Sequence, residues 1–326
     1  MQRFKNILAV IELKQSPDRV LARAVSLARN NQAKLSVVCV VPEITAGIGM
    51  PEGGPISAQL QAAAIADARQ QLEQAIGSIG SQTAVQTAVL VGTPFLEIIR
   101  EVLRNAHDLL IKAPEDPDWI ERLFGSDDMH LLRKCPCPVW LVKDASAASY
   151  RRILAAVDVD ADHPASELPV RHQLNIQILE MAASLALSDF AELHVVHAWQ
   201  AIGENAMRGP HLAQPDVDVD EYLQQTRDIH EAGLNGLLDE ATSRWDVEAG
   251  KFLSPQKHVI KGLPRREIPA LARTLEADLL VMGTVGRTGV PGLFIGNTAE
   301  TILEQIECSV LAVKPEGFRT PVSVDA

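Results

Sequence analysis

The stretch RILAAVD at residues 152–158 decides the fold, because it repeats the stretch NILAVIE at residues 6–12. Each is a short apolar run that ends in a carboxylate, which is typical of a strand covered on both faces in a parallel sheet. Four further blocks recur in the same order: LSVVCV, VLVGTPFLEI, HDLLIK and CPVWLVK return as LHVVHA, VIKGLPRREI, ADLLVM and CSVLAVK. This ordered recurrence indicates a duplicated domain.

The two copies meet in the segment KDASAASYRR, residues 143–152, where small and polar residues predict a short linker. We therefore predict a first domain at residues 1–148 and a second domain at residues 149–326. The chain length of 326 residues suits this division, since it allows two domains of about 150 residues each.

Within each copy, apolar runs of strand length alternate with amphipathic segments of helix length. This βαβαβαβαβ order predicts an α/β fold in which a five-stranded parallel sheet with right-handed crossovers is sandwiched by helices. The composition fits, because 47% of the residues are hydrophobic but only 4% are aromatic. Such sheets bind ligands beyond the carboxyl ends of their strands, where the strand order reverses.

The charge and the distribution of apolar residues exclude several functional classes. The formal net charge of −12 argues against binding to nucleic acids or anionic lipids. We find no apolar run of the roughly 18–20 residues that a membrane span requires. The N-terminal apolar run is too short for a signal peptide, so we predict a cytoplasmic protein. The four cysteines do not form a disulfide framework in a chain of this length.

A glycine-rich segment follows the fourth strand of the second copy: DLLVMGTVGRTGVPGLFIGNTAETILEQI, residues 278–306. Its glycines are Gly283, Gly286, Gly289, Gly292 and Gly296. We predict that Asn297 caps the next helix, with Glu300 as its capping-box partner. Glycines between a strand and a helix N-terminus can bring backbone N–H groups close to a phosphate. The alternative is turn chemistry without a ligand.

The spacing of three of these glycines is specific. Gly283, Gly286 and Gly296 form the pattern G-x2-G-x9-G, which resembles the nucleotide-binding signature of the universal stress protein family. Asn297, with Thr298 behind it, stands where the family usually has Ser or Thr. The tandem layout resembles the E-type members. The resemblance covers nearly the whole chain and implies bound ATP, with or without Mg²⁺.

The resemblance also implies a role for individual residues of the second copy. Asp158 matches the aspartate that contacts the ribose, although a helix-capping role remains an alternative. Ala156 and Val157 would line the base, and the backbone of Ala198 would read the adenine edge. The phosphate loop would consist of Gly283, Gly286, Arg287, Gly296, Asn297 and Thr298. Arg287 is open to a second interpretation, as a solvated loop arginine.

The first copy has lost this signature. Ala113 and Asp116 occupy the positions of the first two glycines, although Gly125 and Ser126 keep the last part of the motif. Glu12 replaces the ribose aspartate. The acids predicted to crowd the phosphate position are Glu115, Asp116, Asp118 and Glu121. Because like charges repel, we predict that the first copy does not bind ATP; it binds another ligand or serves in dimerisation.

The cysteines and histidines do not suggest a metal site or a catalytic site. Cys137 aligns with Cys308 at the start of the fifth strand, which suggests buried cysteines. His194 and His197 are three residues apart on a strand, so they point to opposite faces. The sequence contains no G-x-S-x-G elbow, and no Ser-His-Asp order or catalytic carboxylate pair is evident. We therefore predict neither catalytic residues nor metal ligands.

These observations favour a stress-response protein that binds ATP in its second domain as a regulatory ligand. A slow ATPase or nucleotidyl transferase, and a scaffold or non-nucleotide binding protein, remain as alternatives. We also predict that the fifth strands, at residues 138–143 and 309–314, pair in antiparallel fashion within one chain, because unpaired edge strands are prone to association. A further homodimer is left open.

Overall fold

The computed structural model describes residues 4–13, 18–44, 55–77, 84–115, 126–143, 149–209, 215–245, 247–284 and 295–324. The first domain consists of β1 (Asn6–Val10), α1 (Asp18–Asn31), β2 (Lys34–Val41), α2 (Pro55–Gly77), β3 (Val85–Val91), α3 (Pro94–Asn105), β4 (Leu109–Lys112), α4 (Asp127–Lys134) and β5 (Val139–Leu141). Strands and helices alternate in it as the sequence predicts.

The second domain repeats this order with additional helices. It consists of β6 (Arg152–Ala156), α5 (Leu168–Asp189), β7 (Glu192–Trp199), α6 (Glu204–Arg208), α7 (Asp216–Ser243), α8 (Val247–Leu253), β8 (Gln256–Lys261), α9 (Pro264–Thr274), β9 (Leu279–Gly283), α10 (Asn297–Gln305) and β10 (Ser309–Val313). The sequence predicts that insertions between the copies fall in loops. Between β7 and β8, however, the inserted chain includes the helices α6 and α8.

All strands belong to one ten-stranded sheet with the order β3-β2-β1-β4-β5-β10-β9-β6-β7-β8. Neighbouring strands within each half are parallel, and the strand order reverses between β1 and β4 and between β6 and β9. The halves join through β5 and β10, which are antiparallel and place Leu141 opposite Val310. The predicted pairing of the fifth strands within one chain is therefore confirmed.

Two apolar layers cover the sheet, and each continues through both domains. Helices α1, α2, α5, α7 and α8 contribute to one layer, and helices α3, α4, α9 and α10 contribute to the other. The central strands are apolar on both sides because both of their faces are buried. None of the described helices is both long and apolar enough to cross a membrane.

Polar contacts between the domains accompany the strand pairing. Arg133 at the end of α4 forms an ion pair with Glu300 of α10. On the other side of the sheet, Arg23 of α1 pairs with Asp189 at the end of α5. The Arg23 guanidinium also lies 3.9 Å from the ring centroid of Tyr150. The two domains are therefore connected on both faces of the sheet.

Candidate functional site

Five of the residues that the sequence singles out meet at one edge of the second half-sheet. Ala156 pairs with Val196 of β7 and with Met282 of β9, so the carboxyl ends of these three strands are adjacent. The N–H of Val157 extends the ladder by donating to the carbonyl of Val196, at 3.0 Å. Strand pairing thus brings together Ala156, Val157, Asp158, Ala198 and Gly283. This edge lies where the strand order reverses.

Asp158 follows β6, and neighbouring side chains hold its carboxylate in place. Its Oδ2 accepts hydrogen bonds from Arg171 Nη1 at 3.1 Å and pairs with His163 Nε2 at 2.8 Å. Its Oδ1 accepts from the N–H of Asp160 at 3.2 Å. The side chain of Asp158 remains 46% exposed. The carboxylate is therefore oriented by the protein and still accessible to a ligand.

A side chain of α5 also fixes the backbone of Asp158. The N–H of Asp158 donates to Asn175 Oδ1 at 3.1 Å, and Asn175 Nδ2 donates to the carbonyl of Asp158 at 2.6 Å. Asn175 is buried, so its amide side chain satisfies the two backbone groups at the point where the strand ladder ends. The position of Asp158 is thus specified by α5.

The first and last glycines of the motif lie near each other at this edge. Gly283 ends β9, and the N–H of Gly296 donates to the carbonyl of Thr284 at 3.1 Å. A Cβ on Gly283 would lie 2.7 Å from Leu174 Cδ2 of α5. The packing of α5 against β9 therefore already requires a glycine at position 283. Gly286 and Arg287 lie outside the described residues.

The start of α10 differs from the sequence prediction. Gly296 is the N-cap residue, with φ −63° and ψ 140°, and Asn297 is the first helical residue, so Asn297 is not the cap. Glu300 does not complete a capping box, because it forms the ion pair with Arg133. Asn297 and Thr298 are exposed at the helix N-terminus. Both residues lie near Gly296, but Asn297 is not the helix cap that the sequence predicts.

Two histidines and a tryptophan are buried behind this edge. His197 of β7 lies between Val157 and α7, with its Nε2 3.0 Å from Nδ1 of His230. The ring of Trp199 stacks on His230 at 5.5 Å between centroids. Burial lowers the pKa of His197, which favours a neutral ring. These aromatic rings form a rigid support beneath the end of β7.

Two further histidines, His194 and His258, form a second pair on the opposite face of β7. His194 Nδ1 lies 3.0 Å from Nε2 of His258 on β8. His194 and His197 therefore point to opposite faces, as predicted, and do not share a ligand. In the parts of the chain that the structure describes, no group of three or more His, Cys, Asp or Glu side chains could hold a metal ion.

In the first domain, a buried ion pair occupies the corresponding edge. Lys112 at the end of β4 is 1% exposed and pairs with Asp128 of α4, and Glu12 Oε1 lies 3.6 Å from its Nζ. Burial lowers the pKa of Lys112, but the carboxylates of Asp128 and Glu12 more than offset this, and the pKa is raised. Lys112 is therefore charged and compensated within the protein.

The second domain does not have this ion pair. Lys112 pairs with Val10 in the first half-sheet as Met282 pairs with Ala156 in the second. Ala299 stands in the second copy at the position that Asp128 occupies in the first. The second domain therefore has two apolar side chains, Met282 and Ala299, where the first has a lysine and a carboxylate.

The structure describes two further residues of the first domain that the sequence analysis names, Ser126 and Glu115. Ser126 is the N-cap of α4, and its Oγ accepts from the N–H of Met129 at 3.2 Å. Glu115 contacts Asp128 through its backbone N–H, at 2.8 Å. Asp116, Asp118 and Glu121, which are predicted to crowd the phosphate position, lie outside the described residues, so their predicted repulsion stays a prediction.

The pKa values of Cys39, Cys137 and Cys308 are raised. Burial raises the pKa of Cys308 to about 12 and that of Cys39 to about 11. The hydrogen bond with Cys135 and burial raise the pKa of Cys137. Since the thiolate is the nucleophile and the metal ligand, these thiols are poorly suited to either role.

Sequence analysis missed the residues that orient Asp158 and those that close the first domain. Arg171 and His163 follow Asp158 within the same segment, and an acid followed by nearby basic residues is a weak local signal for such pairing. Lys112 and Asp128 could have been found by aligning the two copies. They stand together where the second copy has an apolar residue at both positions.

Comparisons with known proteins agree with this architecture. The model of the universal stress protein family matches residues 3–143 and 149–314. Universal stress protein E of Salmonella typhi is 32% identical over 333 residues, covering 100% of this chain and 99% of that protein. The Escherichia coli K12 protein of the same name is 30% identical over 329 residues, covering 100% of this chain and 98% of that protein.

Solved structures give the same result. A chain from Pseudomonas aeruginosa UCBPP-PA14, described as a universal stress protein, is 28% identical. The match covers 97% of this chain and 95% of that chain, with a TM-score of 0.62. A universal stress protein from Archaeoglobus fulgidus, at 15% identity and a TM-score of 0.60, shares the fold. The chain therefore belongs to the universal stress protein family and carries two of its domains in tandem.

Proposed function

We propose that this stress protein binds ATP, as a regulatory ligand, at the carboxyl edge of its second domain. One contrast carries the proposal. The second domain has an exposed, oriented carboxylate beside a glycine and a helix N-terminus, whereas the first domain fills the same place with Lys112 and Asp128. We therefore assign the ligand to the second edge, because a buried ion pair occupies the first.

The ribose is assigned to Asp158. A carboxylate accepts hydrogen bonds from both hydroxyl groups of a ribose, and a conserved geometry of this kind is common in nucleotide sites at strand ends. Arg171 and His163 hold the carboxylate from one side, so less side-chain entropy is lost on binding. The small side chains of Ala156 and Val157 and the backbone of Ala198 form the wall for the base.

The phosphates are assigned to the loop and the helix that follow β9. The first N–H groups of α10 have no partner within the helix, and its dipole favours an anion. Gly296 has a negative φ, and a Cβ there would meet no described atom within 4 Å. Glycine is a favoured N-cap residue, and among the described residues no packing contact requires it here. We assign it to the phosphate site because it leaves room for a ligand to approach the backbone closely.

The rest of the phosphate site rests on the sequence motif. Gly286 and Arg287 lie between the two glycines and are assigned to the phosphate chain, together with Asn297 and Thr298 at the start of α10. Mg²⁺ would accompany the phosphates as a part of the bound nucleotide. The protein contributes binding and orientation, and we assign no catalytic residue.

A pair of equivalent substitutions tests the proposal. Asp158→Ala removes the ribose acceptor and should weaken ATP binding about tenfold or more, since hydrogen bonds to charged groups contribute about 1.5–3 kcal/mol each. Glu12→Ala changes the equivalent carboxylate of the first domain and should leave the affinity unchanged. Calorimetric titration of both full-length variants measures the difference. Equal affinities for ATP in the two variants would contradict the assignment to the second domain.

A further inference from the structure

A cavity of about 350 Å³ lies between the two domains. It forms because β5 and β10 are antiparallel, so the residues that precede β5 lie beside those that follow β10. Its lining comes from the first domain, from α5 of the second domain and from residues 314–318 after β10. It shares no lining residue with the proposed nucleotide site.

Apolar side chains form part of the cavity wall, beside polar and charged ones. Phe4, Met181 and Phe318 line it from three different segments of the chain, and Pro136 and Pro138 add rigid surface before β5. Phe4 and Met181 are buried in the folded protein. Its volume is at the small end of the range of about 300–1,000 Å³ that is typical of ligand pockets. A compact organic molecule fits such a space.

The lysine of the cavity lining is Lys314, which is 5% exposed. Its Nζ donates to Thr284 Oγ1 at 2.6 Å and to the carbonyl of Leu132. A charged ammonium group has three donors, and the third has no hydrogen-bond acceptor among the described residues. The Nζ also lies 5.2 Å from the centroid of the Phe318 ring. Within the described part of the chain, no carboxylate lies within ion-pair distance of this Nζ.

In the first domain, a carboxylate compensates the charge of a buried lysine. Lys112 has Asp128 as an ion-pair partner, and its pKa is raised. Burial without such a partner lowers the pKa of Lys314 to about 7. An ion buried without a counter-ion is costly, and among the described residues Lys314 has no carboxylate of the kind that Asp128 supplies to Lys112.

A second polar group in the cavity wall is also unsatisfied. Neither ring nitrogen of the buried His107 has a hydrogen-bond partner among the described residues, and the nearest carboxylate oxygen, Glu101 Oε1, is 3.9 Å from Nε2. Burial lowers the pKa of His107, so the neutral ring has one N–H donor to offer. Buried polar groups normally have partners, and a ligand would supply one here.

The carboxylates that line the cavity do not neutralise Lys314. Asp108 accepts hydrogen bonds from the N–H groups of Lys5 at 2.7 Å and Asn6 at 3.1 Å. Glu316 is exposed, so its side chain can remain in solvent. The donors available to a ligand are therefore those of Lys314 and His107.

We propose that this interdomain cavity binds a small organic monocarboxylate with a compact apolar body. The carboxylate accepts hydrogen bonds from Lys314 Nζ and from the N–H of His107, and the apolar body packs against Phe4, Met181 and Phe318. Such a ligand contacts both domains and supplies the counter-ion that Lys314 lacks. It occupies a site separate from the nucleotide.

Calorimetric titration of the full-length protein with benzoate and with hexanoate tests the proposal, with benzamide as the uncharged analogue. At least one acid should bind with a Kd below about 10 mM, and benzamide should bind about tenfold more weakly or less. Lys314→Met should weaken the binding of the acid by about tenfold or more. The matched control is Lys143→Met, which changes the equivalent lysine after β5, a residue that does not line the cavity.

Three results would overturn the proposal: neither acid binds, benzamide binds as tightly as benzoate, or Lys143→Met weakens binding as much as Lys314→Met. If Lys314→Met does not fold, the site is located in the wild-type protein. Benzoate should then shift the ¹³C-methyl resonance of Met181 through the ring current of the bound acid. A Met181 signal that stays unchanged when benzoate is bound would place the ligand elsewhere and overturn the proposal.

Discussion

At the scale of single residues, the lowered pKa of Lys314 predicts how the free energy of unfolding depends on pH. The pKa of Lys314 is about 7, below the value of 10.5 for a free lysine, so between these values the unfolded chain binds more protons than the folded chain. The contribution of Lys314 to the free energy of unfolding therefore rises with pH through this window, by at most about 1.4 kcal/mol per pH unit.

Lys314→Met removes this contribution. The free energy of unfolding of the wild type minus that of Lys314→Met should therefore increase between about pH 7.5 and about pH 9.5. Urea denaturation at several pH values measures the difference. If the two proteins keep a constant difference across this range, Lys314 is not a lysine with a lowered pKa.

For the first domain, we predict the effect of removing the ion-pair partner of Lys112. Asp128→Ala leaves the fully buried Lys112 without its short ion-pair partner and should lower the free energy of unfolding by about 3–5 kcal/mol. Adding Lys112→Met removes the uncompensated charge and should recover most of this loss. Denaturant unfolding of the single and double variants measures both effects. A single variant as stable as the wild type would show that the pair does not hold this edge closed.

At the scale of elements, substitutions of Gly283 and Gly296 distinguish an effect on helix packing from an effect on ATP binding. Gly283→Ala places a Cβ against Leu174 of α5 and should lower the free energy of unfolding by about 1–3 kcal/mol. A Cβ at Gly296 meets no described atom within 4 Å, and its φ of −63° suits alanine, so Gly296→Ala should lower the free energy of unfolding by less than about 1 kcal/mol, the cost of a poorer N-cap, while ATP binding weakens. Thermal unfolding and ATP titration of both variants measure this. A Gly296→Ala variant that binds ATP normally would remove position 296 from the phosphate site.

Strands were predictable from the sequence because their physical signal is local. A run such as ILAAV at residues 153–157 must be covered on both faces, and this places its carboxyl end, and Asp158, at the sheet edge. The start of α10 was not predictable in the same way. Gly296 occupies the cap position, and Glu300 pairs with Arg133 of the other domain, a contact that no local pattern reveals.

The ion pair at the edge of the first half-sheet was also not predictable from a local sequence pattern. The sequence predicts that the first copy does not bind ATP, on the ground that acids repel phosphate. The structure adds a different physical reason, because Lys112 and Asp128 are sixteen residues apart in the chain and pair only after β4 and α4 pack together. The partners of Asp158, Lys112 and Glu300 are thus set by packing, whereas the positions of the strands are set by composition.

At the scale of the whole molecule, the antiparallel pair of β5 and β10 joins the domains. Val310 is fully buried and lies opposite Leu141, so Val310→Asp places an unpaired charge in the shared ladder, which is strongly unfavourable. We expect the domains to separate, with a larger radius of gyration by X-ray scattering and faster hydrogen exchange in β5.

The control for this prediction is Thr87→Asp, on the exposed face of the outer strand β3. It introduces the same charge in a strand, but far from the contact between the domains, so neither the radius of gyration nor the exchange of β5 should change. If Val310→Asp leaves both quantities at their wild-type values, the strand pair is not what holds the domains together.

The central claim about the whole molecule is that its two related domains differ in ligand binding. The asymmetry lies in one open edge beside Asp158 and one closed edge at Lys112. Calorimetric titration of the full-length wild-type protein with ATP, in the presence of Mg²⁺, tests this most directly through the stoichiometry. The account predicts one ATP bound per chain. Two equivalent sites per chain, or no binding at all, would contradict it.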